Sequence, residues 1–148
     1  MTKIININFH RINKKLIVTD ITPRVSETDG VGHINNVFIP IWFEAGRREI
    51  FRIFSPKLDF KNWRLALVKV EVEYVDQIYL ANDVEIRTGV EKIGNSSFTI
   101  KEEIHQTDRL CAKGKSIYVN YNFRVKKSES IPETIRKKLE KHHFSKKK

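Results

Sequence analysis

The spacing of apolar residues changes character along this chain. "LIVTDITPRVSE", Leu16 to Glu27, predicts an extended segment, with Pro23 marking an edge or a bulge. From Val37 to about Phe54 the spacing becomes helical. Val37, Phe38, Ile41, Trp42 and Ala45 recur at that period, while Ile39, Phe43, Ile50, Phe51, Ile53 and Phe54 fall on other faces. A helix apolar nearly all round has to be wrapped by other structure. Pro40 fits only if the helix begins within three residues before it, where no backbone N–H is missed, or if its first turn is kinked. Ser55-Pro56 ends the run.

After Trp63 the period becomes two. In "RLALVKVEVEY" the residues Ala66, Val68, Val70, Val72 and Tyr74 share one face, opposite Lys69, Glu71 and Glu73. "DVEIRTGVEK" points Val84, Ile86, Thr88 and Val90 inward. "SFTIKEEI" groups Phe98, Ile100 and Ile104, with Glu102 as a charged exception, and "SIYVNYNF" groups Ile117, Val119, Tyr121 and Phe123. Turn signals stand at 80–83, 93–97 and 106–109. Four consecutive strands of this kind predict an antiparallel sheet. "SIPETIRKKLEKHH" predicts a short helix with Ser130 as cap and Pro132 and Glu133 in the first turn, and "FSKKK" a frayed end. The expectation is an α+β fold in one domain, residues 1–148. Its core covers about 14–124, and the terminal helix and basic tail cover 130–148. A sheet wrapped around one helix leaves an edge strand open, which predicts pairing with a second copy.

Composition narrows the partners. The 148 residues carry a formal net charge of +10, but Arg124 to Lys148 hold ten Lys/Arg against three Glu, so +7 lies in that segment and +3 in the remainder. The excess is a basic tail, not a groove, and nucleic acid is an unfavoured partner. One cysteine, Cys111, excludes an internal disulfide and a multi-cysteine zinc site. "MTKIININFHRINKK" lacks the apolar core of a signal peptide, and no apolar run is long enough to span a membrane, so a cytoplasmic location is expected. "GKS" at 114–116 lacks the preceding glycine of a phosphate loop. No G-x-S-x-G elbow is present, and the five histidines have no metal spacing. No cofactor or metal is expected.

One junction remains. "ETDGVGHINN", Glu27 to Asn36, crowds an acid, two glycines, a histidine and two asparagines against the start of the apolar helix. As punctuation, Gly and Asn end a strand and Asn caps the helix, with Asp29 in an Asx-turn. As chemistry, the junction holds a substrate.

"ETDGVGHINNVFIPIWFEAGR" resembles the signature of the hotdog-fold acyl-CoA thioesterases of the 4-hydroxybenzoyl-CoA thioesterase-like family. The match runs through Glu27, Thr28, Asp29, Gly32, His33, Ile34, Asn35, Asn36, Trp42, Phe43, Glu44, Ala45 and Arg47. "VEYVDQIYLANDVEIRTGVEKIGNSSFTI" resembles the family's following strands with their "IG-x-SSF" turn. The resemblance implies a hotdog fold, an antiparallel sheet wrapped around one long central helix. It also implies a homodimer or dimer of dimers and hydrolysis of an acyl-CoA to free acid and coenzyme A. It places the catalytic carboxylate on Asp29, as nucleophile or as general base on water. The helix's first turn offers free backbone N–H groups and a partial positive end for the oxyanion, with Asn35 and Asn36 positioned to present them and Gly32 allowing close approach. His33 is expected to contact substrate or the turn backbone. Glu44 is expected on a buried helix face, bridged to Arg47, Arg48 or the opposite subunit, with catalytic help as the other role. Ser96 and Ser97 are expected near the pantetheine or phosphates, across the subunit interface from Asp29. A non-catalytic acyl-thioester binder on the same fold and an acyl-carrier-protein thioesterase are the competing functions.

Overall fold

The structure is a computed structural model that describes residues 16–145. The expectations placed on residues 1–15 and on Lys146 to Lys148 lie outside those described. β1 (Ile17–Ile21) leads through one 3-10 turn, Val25–Glu27, and a hairpin loop into α1 (Phe38–Gly46) and α2 (Arg48–Phe54). β2 (Leu65–Tyr74), β3 (Val84–Ile93), β4 (Ser97–Gln106), β5 (Arg109–Asn122) and the two-residue β6 (Lys127–Ser128) follow, and α3 (Glu133–Glu140) closes the described chain. The sheet order is β1-β3-β4-β5-β2, antiparallel throughout, with β6 beside the end of β5. This curled antiparallel sheet around the α1–α2 helix is the hotdog fold. β2 and β1 are its edges.

The predicted helix over 37–54 is present, and it begins at Phe38, so Pro40 lies in the first turn and breaks no ladder bond. It is interrupted at Arg47, whose N–H bonds Glu44 O three residues back at 3.0 Å. The break coincides with a buried ion pair. Arg47 is buried and turned into the sheet, where Nη2 and Nε lie 2.8 and 3.0 Å from Glu102 Oε1. Nη1 donates to Tyr118 OH at 2.9 Å, and Ser116 Oγ donates to Glu102 Oε1 at 3.1 Å. Burial pushes the Glu102 carboxyl above its usual range, against the pull of Arg47 and Ser116. Glu102, the charged exception on an inward face, is thus the partner of the helix's buried arginine. Helix and sheet approach closely on either side of this network. A Cβ on Gly46 would meet Thr88 Oγ1 at 2.7 Å, and one on Gly114 would meet the Phe43 ring at 2.9 Å.

Inward faces of β3 and β4 follow the predicted alternation, with Val84, Ile86, Thr88, Val90, Phe98, Ile100 and Ile104 all buried. On β2 and β5 the side facing the core differs from the pattern. The register slips between Leu67 and Lys69, so Leu65 and Leu67 share a face with Val70, Val72 and Tyr74, while Ala66 is opposite. The bulge therefore breaks the face expected for Ala66 through Tyr74. On β5 the core face is Ser116, Tyr118 and Asn120, and Ile117, Val119 and Tyr121 lie on the other side, half-buried, with Phe123 exposed. Tyr118 and Ser116 face inward because they complete the Arg47–Glu102 network.

The C-terminal end is docked. Leu139 and Ile131 are buried with Ile50, Phe98 and Tyr118. Past α3 the chain brackets Val90: Val90 N donates to His142 O at 2.7 Å and Phe144 N donates to Val90 O at 2.8 Å. Lys101 Nζ lies 4.7 Å from the Phe144 ring centre. The expected fraying thus does not include Phe144. No described helix is long and apolar enough to cross a membrane.

Candidate active site

The junction folds as a tight hairpin laid against the connection between β2 and β3. Asp29 N donates to His33 O at 2.9 Å, and Gly30 and Gly32 have φ of 89° and 88°, a region that glycine enters without steric cost. A Cβ on Gly32 would meet nothing within 4 Å in this protomer, so the turn's backbone conformation, not crowding, requires glycine there. The hairpin then joins the 75–83 connection: Ile34 N donates to Ile78 O at 2.8 Å, and His33 bridges Tyr79 with their rings edge to face at 5.1 Å. Buried Gln106 at the end of β4 holds that connection, accepting from Tyr79 N at 2.9 Å and donating to Tyr79 O and Asn82 O at 2.8 and 2.7 Å.

The hairpin's other anchor is Glu27. It is 2 % exposed and accepts hydrogen bonds from Trp42 Nε1 at 2.9 Å and from the Arg24 backbone N–H at 2.8 Å. Burial pushes its carboxyl upward, but the bonds from Arg24 and Trp42 prevail and hold it below the usual carboxylate range. Sequence inspection matched Glu27 to the motif without giving it a task. Its one signal is an acid fifteen positions before a tryptophan on an apolar helix.

The peptide groups around Asn36 determine what the loop can offer. Asn35 N–H is consumed by Glu27 O at 2.8 Å, which corrects its expected role as an oxyanion donor. Asn35 Oδ1 takes Val37 N–H at 3.1 Å, and Asn35 O takes Phe38 N–H at 3.0 Å, so Asn35 closes the turn that leads into α1, whose N-cap position is Val37. The Asn36 carbonyl accepts from Tyr74 OH on β2 at 3.1 Å and from Ile39 N at 3.2 Å. Among the described residues, the Asn36 N–H has no hydrogen-bond partner. It is one donor at a helix start, with the peptide groups on either side fixed.

Asp29 is exposed. Its Oδ1 accepts Val31 N–H at 3.0 Å in an Asx-turn, and its Oδ2 lies 3.9 Å from His33 Nδ1. The turn uses one carboxylate oxygen and leaves the second toward the histidine. Within one protomer Glu44 is exposed and is not bridged to Arg47, which is itself buried and pairs with Glu102. Glu44 lines a groove of about 700 Å³ with Ile41, Arg48, Phe51, Leu67 and Tyr118. Ser96 and Ser97 stand at the β3–β4 turn. The opposite end of β4 is Gln106, beside the hairpin's anchor loop, so β4 separates the serines from Asp29 by its full length in one protomer. Among the described residues, no group of three or more His, Cys, Asp or Glu is arranged to hold a metal.

Residues 23–139 match the Thioesterase-like superfamily, and the chain belongs to that family. It is 56% identical to a Bacillus stearothermophilus protein described as a predicted thioesterase, with a TM-score of 0.86 over 89% of this chain and 99% of that one. A Thermus thermophilus thioesterase crystallised with coenzyme A and zinc superposes with a TM-score of 0.74 at 23% identity, over 82% of this chain and 95% of that one. The uncharacterized protein YsmA of Bacillus subtilis strain 168 is 29% identical over 80 residues, 54% of each chain. This chain thus spans about half the length of that curated relative.

Proposed function

We propose that this chain is an acyl-CoA thioesterase that converts an acyl-CoA and water to the free acid and coenzyme A. The observation that carries this is the unpartnered Asn36 N–H at the start of α1, preceded in the same hairpin by the Asp29 carboxylate. Such a donor, fixed before the substrate arrives, stabilises the oxyanion that forms as a thioester carbonyl is attacked, an effect of about 3 kcal/mol per donor. Asp29 supplies the attack in one of two ways. As nucleophile, its oxygen bonds the acyl carbon, the C–S bond breaks, coenzyme A leaves as thiolate and takes a proton, and water then cleaves the anhydride. As general base, it removes a proton from the attacking water. Gly32 sets the turn, and His33 closes it through its carbonyl, which accepts Asp29 N–H, with its ring 3.9 Å from the carboxylate; Glu44 lines the groove assigned to the acyl group. That a Thermus relative was crystallised with coenzyme A supports the choice of thioester.

Completion of the site calls for a second copy. β2 is an edge with Leu67, Val68, Val70 and Tyr74 exposed. Pairing two β2 strands about a twofold axis sets the Tyr74 end of one beside the Leu65 end of the other. The Asp29 hairpin then meets the partner's Ser96–Ser97 end of the sheet. The test is release of free thiol from short, long and aromatic acyl-CoAs by the wild type and Asp29→Asn. Acyl-CoA binding with no thiol release by the wild type sinks the hydrolase reading in favour of a non-catalytic binder.

A further inference from the structure

A second concavity, of about 310 Å³, lies where the segment before β2 passes the end of β5. Its walls alternate aromatic and cationic side chains: Phe60, Lys61, Trp63 and Arg64 on one side, Phe123 and Arg124 on the other. Phe60 is 81 % exposed and Phe123 51 %, an unusual use of phenylalanine on a surface. Trp63 is held by its indole N–H bond to Leu65 O at 3.0 Å, and its ring lies 5.3 Å from that of Phe60, so the two form an ordered aromatic surface. Arg64 pairs with Glu129, whose other oxygen takes Asn122 Nδ2 at 3.3 Å. Among the described residues, Lys61 and Arg124 have no ion-pair partner.

Planar rings beside uncompensated cations suit a base attached to phosphates. Bases stack on aromatic faces, and guanidinium and ammonium groups bind phosphate oxygens. The volume sits near the lower bound of about 300 Å³ for small-molecule sites, room for one nucleotide rather than a strand. We propose that this groove binds the 3′-phosphoadenosine end of the coenzyme A thioester. The identity of the ligand rests on the acyl-CoA reading above. Asn120 N donates to Ser96 O at 2.8 Å, so the groove shares its end of the sheet with the Ser96–Ser97 turn. Under the β2 pairing it faces the partner's catalytic hairpin, and one substrate then spans two protomers.

The experiment uses the full chain and two readouts. Adenosine 3′,5′-bisphosphate binding is followed by calorimetry and by tryptophan fluorescence. The same acyl group is then presented on coenzyme A and on pantetheine, which lacks the nucleotide. In the Lys61→Gln/Arg124→Gln double variant, bisphosphate affinity is expected to fall about tenfold, and the preference for acyl-CoA over acyl-pantetheine in kcat/KM to fall by a similar factor. Phe60→Ala is expected to weaken bisphosphate binding without changing its salt dependence. Unchanged bisphosphate affinity, or an unchanged CoA preference, in the double variant overturns the proposal. So does a single-stranded oligonucleotide that displaces the bisphosphate while the CoA preference stays unmoved. If the wild type binds bisphosphate through these residues but cleaves neither thioester, the nucleotide site stands and the hydrolase reading falls.

Discussion

Glu27 lies under the glycine hairpin, and its carboxylate oxygens take bonds from Trp42 and Arg24 while its carbonyl takes Asn35 N–H. Its folded carboxyl is held below the usual range, so its contribution to stability is complete above the ordinary glutamate value of about 4.3 and is lost as pH falls through the lower folded value. Glu27→Gln should therefore lower stability at neutral pH by about 1–3 kcal/mol and flatten the acid limb of stability against pH, measured by urea unfolding. Asp29 is the contrasting acid, exposed, and the residue proposed above for the chemistry. Asp29→Asn keeps the oxygen that accepts Val31 N–H, so the Asx-turn should survive. Thiol release is expected to drop at least about 100-fold with the thermal midpoint almost unmoved. A variant that retains most of its rate removes Asp29 from the mechanism.

Among the elements, α3 departs furthest from its local composition. Its charges suggest a solvated tail, yet Leu139 is fully buried and the chain beyond it hydrogen-bonds both sides of Val90. Leu139→Ala is expected to cost about 2–5 kcal/mol, read from the urea midpoint. A cost below about 0.5 kcal/mol, the range of an ordinary surface substitution, would return this segment to the status of an appendage. At the junction between α1 and α2 Arg47 keeps both backbone bonds, its N–H to Glu44 O and its O from Phe51 N, while its side chain turns into the sheet to Glu102. The tight β4–β5 hairpin is legible in "QTDR": Thr107 and Asp108 adopt φ of 48° and 61°, the left-handed pair of a two-residue turn.

For the molecule as a whole, the β2 edge bears on assembly. Apolar residues are exposed along the edge strand β2, and the groove beside them is lined by Ile41, Phe51 and Leu67, a surface suited to a second copy. The double variant Leu67→Glu/Val70→Glu should shift the 17.4 kDa chain toward the monomer by light scattering and remove thiol release with it. A monomeric variant with full activity would show that one protomer holds a complete site.

Periodicity alone located the apolar helix, β2 to β4 and the second half of β5, and Gly and Asn marked the junction at 27–36, because each is a local preference carried by neighbouring residues. Motif order pointed to Asp29 and the start of α1 for the same reason: the residues are neighbours in the chain. Pairings between distant residues lay outside that logic. The β2 bulge, the inward side of β5, the choice of Asn36 over Asn35 as free donor and the joining of Arg47 to Glu102 all depend on groups many positions apart competing for the same hydrogen bonds and the same buried volume. Such competition is settled only when the sheet has curled around the helix.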